Sequence, residues 1–467
     1  MKKLEIDALL KFTKSKFDKF KDTRADNIQY QLGDVVQSGL AIFSLKDSSL
    51  LEFNKRIPER AKNLKRIYKI NRVPPDGQMR EILDEVKPIQ IERVKKAVIG
   101  QVKKAGLLEE FEYFRGYKLL LIDGVHHFSS NTISCKNCQQ THHQDGTITY
   151  SHSMLSAVIA HPEKKVVLPL CEEPIIQQDG VTKNDCELNA SKRLLEKVRT
   201  RHIGEKFIRV EDALYANGPH IRDIQTQEDK FIIRVKPGSG AGSTIEQYEA
   251  LLKMTDKDRI TSQKEAIKAN KLFKKHGIEK PLATKPKVYK VEITDDKAIK
   301  SYHYVNGLYL NETHKDIEVN FVSYEERSIK TGKVTSKSQW ITDIKITDGN
   351  VEKIVKAGRG RWKIENETFN TLKNQGYHFN HNFGHGEKHL CTNFALLMML
   401  AFMIDQIQQL SNELFQAALK KSEWKKYLWD DVRSFFKTLP FDSMEMIYNA
   451  IIYGFNLEYL AIQQNSD

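Results

Sequence analysis

The stretch Tyr117-Lys118-Leu119-Leu120-Leu121-Ile122-Asp123-Gly124 constrains this chain more than any other. A short apolar run closed by Asp-Gly predicts a strand buried on both faces. An acid delivered at the end of such a strand is costly to desolvate unless it is hydrogen-bonded or meets a cation. Phe207-Ile208-Arg209-Val210-Glu211-Asp212 repeats the arrangement and brings a second strand-end acid. Between them, His152 to Ala160 and Lys165 to Leu170 predict two further strands, and Asp185 to Arg199 predicts a helix with Leu188, Leu194, Leu195 and Val198 on one face. Phe231 to Val235 follows as another strand. Three strands, a helix, a strand and a further strand describe a mixed α/β sheet. Taken singly, either Asp reads equally well as a turn former.

The remaining segments are of other kinds. Residues 1–116 are rich in Lys and Arg and show helical periods at Leu4, Leu9, Leu10, Phe12 and Phe17, from Ile28 to Phe43 and from Met79 to Val98, with Pro74-Pro75-Asp76-Gly77 as a turn. Residues 117–284 hold the strands above and end in a Gly-rich run, Gly238 to Gly242, and a basic linker. That run lacks the Lys-Ser/Thr of a phosphate-binding loop, so ATP use is not expected. Residues 285–348 alternate again, as in Val288 to Ile293 and Ile317 to Phe321, and predict an inserted β subdomain. Residues 349–400 and 401–467 read as helices, the last of them suited to dimerisation. Phe394 to Ile404 is the longest apolar run, too short for a bilayer and expected as a buried helix.

Charge narrows the class of partner. Lys and Arg number 74 against 61 Asp and Glu, a net +13 in 467 residues, which suits a polyanion, nucleic acid before membrane. Met1-Lys2-Lys3 leads into the amphipathic Leu4 to Asp7 and not into an apolar leader, and five cysteines make no disulfide framework, so a reducing cytoplasm is expected and no membrane.

A third acid lies in the helix Arg359 to Lys373. Arg361, Glu365 and Phe369 are four apart and predict a shared face, with Lys373 two turns beyond Glu365. By themselves these are equally i,i+4 salt-bridge partners. Together, Asp123 in Leu-Ile-Asp-Gly, Asp212 in Glu-Asp-Ala-Leu-Tyr-Ala-Asn and Arg361-Trp362-Lys363-Ile364-Glu365 resemble the insertion-sequence transposases with a DDE triad, in the branch with a Tyr-Arg-Glu-Lys signature. The resemblance spans roughly residues 115 to 395. It implies an RNase H-like catalytic core made of 117–284 and 349–400, interrupted by the β insertion; the basic helical region before it reads as a DNA-end-binding module or, equally, as a dimerisation or packing domain. It also implies that Asp123, Asp212 and Glu365 are the catalytic acids holding two Mg2+ or Mn2+ ions, that Arg361, Lys373 and Arg359 contact DNA, and that Trp340 stacks on a displaced base, where the residues alone read equally as an ordinary strand Trp in a core. Element ends and target DNA are the implied partners, a homodimer the implied assembly, and the nucleoid the implied place of action. A metal-dependent nuclease of the same fold without strand transfer, or a DNA-binding derivative without catalysis, are the alternatives. Gly358 stands where the signature has Tyr, and Glu365 to Lys373 is one residue longer than usual, which makes Glu367 a rival third acid, about 200° round an α-helix from Glu365.

Histidines and cysteines offer secondary sites. Cys135 and Cys138 precede His142 and His143, a donor set for structural zinc, although an exposed loop explains them as simply. His126 and His127, just past Asp123, and Gly384-His385-Gly386 with His389 read as loop residues that could also reach metal or phosphate.

Overall fold

A computed structural model describes residues 4–24, 28–176, 187–238, 242–254, 264, 268 and 286–454. The expected helix start at Asp185, residues 239–241 of the Gly-rich run and most of the Lys-rich stretch from 255 to 285 lie outside them. The chain is α/β, with a large mixed sheet and many helices. It divides into two compact units, Met1–Glu112 with Asp123–Ile203 and Lys363–Asp467, and Tyr113–Ile122 with Gly204–Trp362.

In the first unit helices surround Leu390–Ser411, which is apolar on every side. By length and composition it could cross a membrane, but its apolar window is 100% buried within the fold. The helix Leu32–Ser44 approaches it closely at Gly39, where an added Cβ would stand 2.8 Å from Leu397 Cδ1. Charges buried here are matched. Lys46 Nζ lies 2.7 Å from Asp405 Oδ2 and 4.1 Å from the ring centres of Tyr377 and Trp429. The period expected from Met79 to Val98 breaks at Val86, because Pro88 cannot donate to a continuing helix and starts a new one, Pro88–Lys104. Asn393 Nδ2 donates to the carbonyls of Leu83 and Val86 at 2.8 and 2.7 Å, at the end of the first of these helices.

The strands of this unit are Gln139–His142, Ile148–Ala160 and Leu168–Ile175, paired antiparallel in that order through Ile148–Ala160. Leu168–Ile175 begins and ends later than the Lys165 to Leu170 reading. The helix Glu187–Arg201 carries Leu194, Leu195 and Val198 inward.

The second unit is built on parallel strands. Tyr117–Ser130 pairs with Phe207–Glu211 in the register Leu121↔Val210, and that strand pairs with Lys230–Arg234 in the register Val210↔Ile232. Leu119 to Ile122 and Phe231 to Ile233 are buried without alternation, as parallel strands covered on both faces must be. The first strand does not stop at Asp123-Gly124 as expected: Val125 and Phe128 are buried and keep it extended to Ser130, so Asp123 lies inside a strand. Residues 285–348 form Tyr289–Thr294, Ala298–Tyr309, Glu318–Ser328 and Val334–Thr342, an antiparallel run whose last strand pairs with Lys230–Arg234 at Thr342↔Ile232. The expected insertion is thus an extension of the same sheet. Helix Val351–Arg359 covers it with Val351, Ile354 and Val355.

Candidate functional site

Asp123 and Glu365 belong to the first unit and Asp212 to the second. Asp123 is half-buried, and its Oδ1 accepts the Gly124 N–H at 3.1 Å. Gly124 has a neighbour that sequence reasoning missed. An added Cβ there would meet Glu187 Oε1 at 2.5 Å, so the first residue of helix Glu187–Arg201 brings another acid against this strand. Nothing in its spacing from Asp123 could have shown that.

Asp212 follows directly on the strand Phe207–Glu211 and enters a 3-10 turn, with its carbonyl accepting the Tyr215 N–H at 3.1 Å. Its carboxylate is unevenly satisfied. Oδ2 lies 3.8 Å from Lys236 Nζ, while Oδ1 is buried with no hydrogen-bond donor among the described residues. The residue before it, Glu211, is fully buried, with Oε2 2.7 Å from His220 Nε2 and Oε1 likewise without a donor among the described residues.

Glu365 lies in Ile364–Phe369, which is a π-helix and not the expected α-helix. Its i→i+5 turns are wider, so the expected stacking of Arg361, Glu365 and Phe369 at intervals of four does not hold. Such turns are rare and concentrate at functional sites. Glu365 is exposed, and no hydrogen bond or ion pair holds its carboxylate among the described residues, whereas Glu367 is half-buried. Ile364, Thr368 and Phe369 point inward, and the buried Lys363 donates to the Lys164 carbonyl at 2.7 Å. These contacts fix the turn that carries Glu365.

The expected DNA contacts divide. Arg361 and Lys373 are half-buried, Lys373 on the short helix Asn370–Asn374. Arg359 is engaged within its own unit, donating at 2.8 Å to both Tyr324 Oη and Glu326 Oε2. Trp340 is 3% exposed and pairs across the sheet with Val322, the setting of a core Trp and not of an open stacking face. The indole explains Gly358. An added Cβ at 358 would stand 2.7 Å from Trp340 Cε2 and Nε1, so the signature's Tyr has no room in this fold.

A second cluster lies wholly in the first unit. Cys135, Cys138, His152 and His385 converge, with the donor atom of each within 4.8 Å of the other three. The expected ligands His142 and His143 are not among them. Both are exposed, and His143 Nε2 bonds Thr149 Oγ1 at 2.8 Å. They sit on a hairpin whose strands, Gln139–His142 and Ile148–Ala160, carry them away from the Cys-x-x-Cys turn. His152 comes from the adjoining strand and His385 from a loop 247 residues beyond Cys138, a separation no local spacing reveals. Burial, and after it the neighbouring His385, pull the His152 pKa down to about 4, and burial pushes the Cys138 thiol up. His127 lies close by, buried, with neither ring nitrogen bonded among the described residues, while His126 Nδ1 bonds Ser153 Oγ at 2.7 Å.

The family model for the transposase DDE domain matches residues 141–403, more than half of the chain. The match takes in Asp212 and Glu365 and begins after Asp123. A search of curated proteins found no match. A basic chain with a mixed α/β fold, a strand-end acid with an unbonded oxygen and a solvent-facing Glu on a π-turn is consistent with what the match implies, a DNA-processing enzyme of the kind that uses divalent metal ions. On the extent of that match, the chain belongs to the transposase DDE domain family.

Proposed function

We propose that this transposase cuts the ends of a mobile DNA element and joins the freed 3′-OH to target DNA, using Asp123, Asp212 and Glu365 as its catalytic acids. The observation that carries the reading is Asp212. A buried carboxylate oxygen with no donor is a costly arrangement unless a cation completes it. Carboxylate oxygens are hard donors and suit Mg2+ or Mn2+. Leu121 and Val210 are register partners, and Asp123 and Asp212 each follow by two residues on their own segments. Parallel pairing of the strands that lead to the two acids supports an RNase H-like core, with Asp123 in Tyr117–Ser130 and Asp212 just after Phe207–Glu211.

Divalent ions, when bound, would activate the attacking water or 3′-OH and stabilise the leaving oxygen. Asp123, Asp212 and Glu365 would be the residues that hold them. Glu365, exposed on its π-turn, is the third acid of the set. Arg361 and Lys373 hold phosphates beside the scissile bond, and two copies of the chain hold the two element ends. Arg359, already paired with Glu326, serves the fold first and DNA second.

The test is DNA cleavage by the full chain on the inverted repeats flanking its coding region, in Mg2+. Asp123→Ala, Asp212→Ala and Glu365→Gln are each expected to abolish cutting, with the secondary structure unchanged by circular dichroism. Full activity in any one of them removes that acid from the mechanism. Pre-cut ends separate transposition from the nuclease reading, because only a transposase joins them to target DNA.

A further inference from the structure

We propose that Cys135, Cys138, His152 and His385 bind one structural zinc ion, a site distinct from the carboxylate centre. The shape of the cluster carries the proposal. Zinc in a tetrahedral site has Zn–S near 2.3 Å and Zn–N near 2.0–2.1 Å. Those lengths require edges of about 3.8 Å for S···S, about 3.5 Å for S···N and about 3.3 Å for N···N. The observed edges are 4.0 Å for Cys135–Cys138, 3.5 and 3.4 Å from those sulfurs to His152 Nε2, 3.3 Å for Cys138–His385 and 3.2 Å for His152–His385. Five edges match a tetrahedron around one small ion. A disulfide does not explain the pair, since its sulfurs would stand about 2.05 Å apart.

Charge and environment agree with the geometry. Two thiolates, two neutral imidazoles and Zn2+ sum to zero, which makes burial of Cys138, 1% exposed, and His152, 3% exposed, affordable. Outer contacts hold the donors. The Cys135 N–H lies 3.4 Å from Cys138 Sγ, and the Cys138 N–H donates to the Cys135 carbonyl at 3.1 Å, which closes the turn. The His385 ring bonds the Gly386 backbone, the type of contact that orients a metal-bound imidazole. Asp84 accepts the N–H groups of Glu387, Lys388, His389 and Leu390, and Asn137 Nδ2 donates to the Lys388 carbonyl at 2.8 Å. Gly386 allows this approach, because an added Cβ would meet Asp84 Oδ1 at 2.4 Å. Zinc here ties the loop after the Glu365 helix to the Cys-x-x-Cys turn, closing a loop of 247 residues.

The full chain, purified without chelator and freed of any metal-binding tag, is expected to carry about one zinc per chain by plasma mass spectrometry. Its Co2+ form should show tetrahedral ligand-field bands with thiolate charge transfer. Cys138→Ser and His385→Ala should lose at least about nine-tenths of the zinc. His385→Cys, which replaces one zinc ligand by another, should keep it, so loss in His385→Ala is not mere misfolding. Zinc should also survive in the His142→Ala/His143→Ala double variant, in Cys391→Ser and in Asp212→Ala. A chain that holds no zinc and gives no tetrahedral Co2+ spectrum overturns the site. So does zinc that persists in Cys138→Ser and His385→Ala, or that leaves with His142 and His143.

Discussion

The Cys/His cluster and the carboxylate acids offer a cation opposite kinds of home. In the cluster four donors already stand at tetrahedral distances, and two of them are sealed from water. The acids are left half-buried or exposed, and Asp212 keeps one oxygen unsatisfied. A structural metal needs every ligand supplied by the chain, whereas a catalytic one needs positions open to water and phosphate. The same fold therefore spends burial on one site and withholds it from the other. Losing a donor should accordingly cost stability in the first and turnover in the second.

The largest expected effect breaks that contrast if it fails. Asp212→Ala should lower cleavage by about 10³-fold or more, while its thermal midpoint stays close to that of the parent. A large loss of midpoint would make Asp212 a structural residue. Next, Glu365→Gln should cost about 10²-fold or more in cleavage and Glu367→Gln less than about threefold. The reverse ranking would give the third position to Glu367. Cys138→Ser should do the opposite of Asp212→Ala, lowering the midpoint by several degrees, at about 2–4 °C per kcal/mol in a domain of this size. Calorimetry with and without added zinc reads it. Gly358→Ala, which drives a Cβ into Trp340, should cost about 1–3 kcal/mol by denaturant titration with no change in metal content. The smallest effect is expected for Arg361→Ala. It should weaken DNA binding across sequences and reduce the salt slope by about 1 in a filter-binding or fluorescence titration.

The sequence made the sheet readable because buried strands leave a local record. Leu119 to Ile122 and Phe231 to Ile233 are apolar, Phe207 to Val210 is apolar but for Arg209, and each lies in a strand. Asp212 at a strand end was legible for the same reason. Asp123 inside a longer strand was not, because Gly124 reads as a stop while Val125 and Phe128 carry the strand on. The π-turn at Glu365 depends on how Ile364 and Phe369 pack, and an i,i+4 pattern cannot distinguish it from an α-helix. For zinc, Cys135-x-x-Cys138 pointed to the turn. The true histidines lay on a strand and on a loop 247 residues away, so proximity in sequence favoured His142 and His143 instead. Long-range ligands leave no periodic trace.

The measurement that bears most directly on the catalytic claim replaces Mg2+ with Fe2+ in the full chain and generates hydroxyl radicals at the bound ion. The backbone should then be cut beside Asp123, Asp212 and Glu365, and excess Mg2+ should suppress all three cuts. Cleavage confined to the neighbourhood of Cys138 and His385, or spread without regard to the acids, would contradict the assignment of these carboxylates as the metal-holding centre.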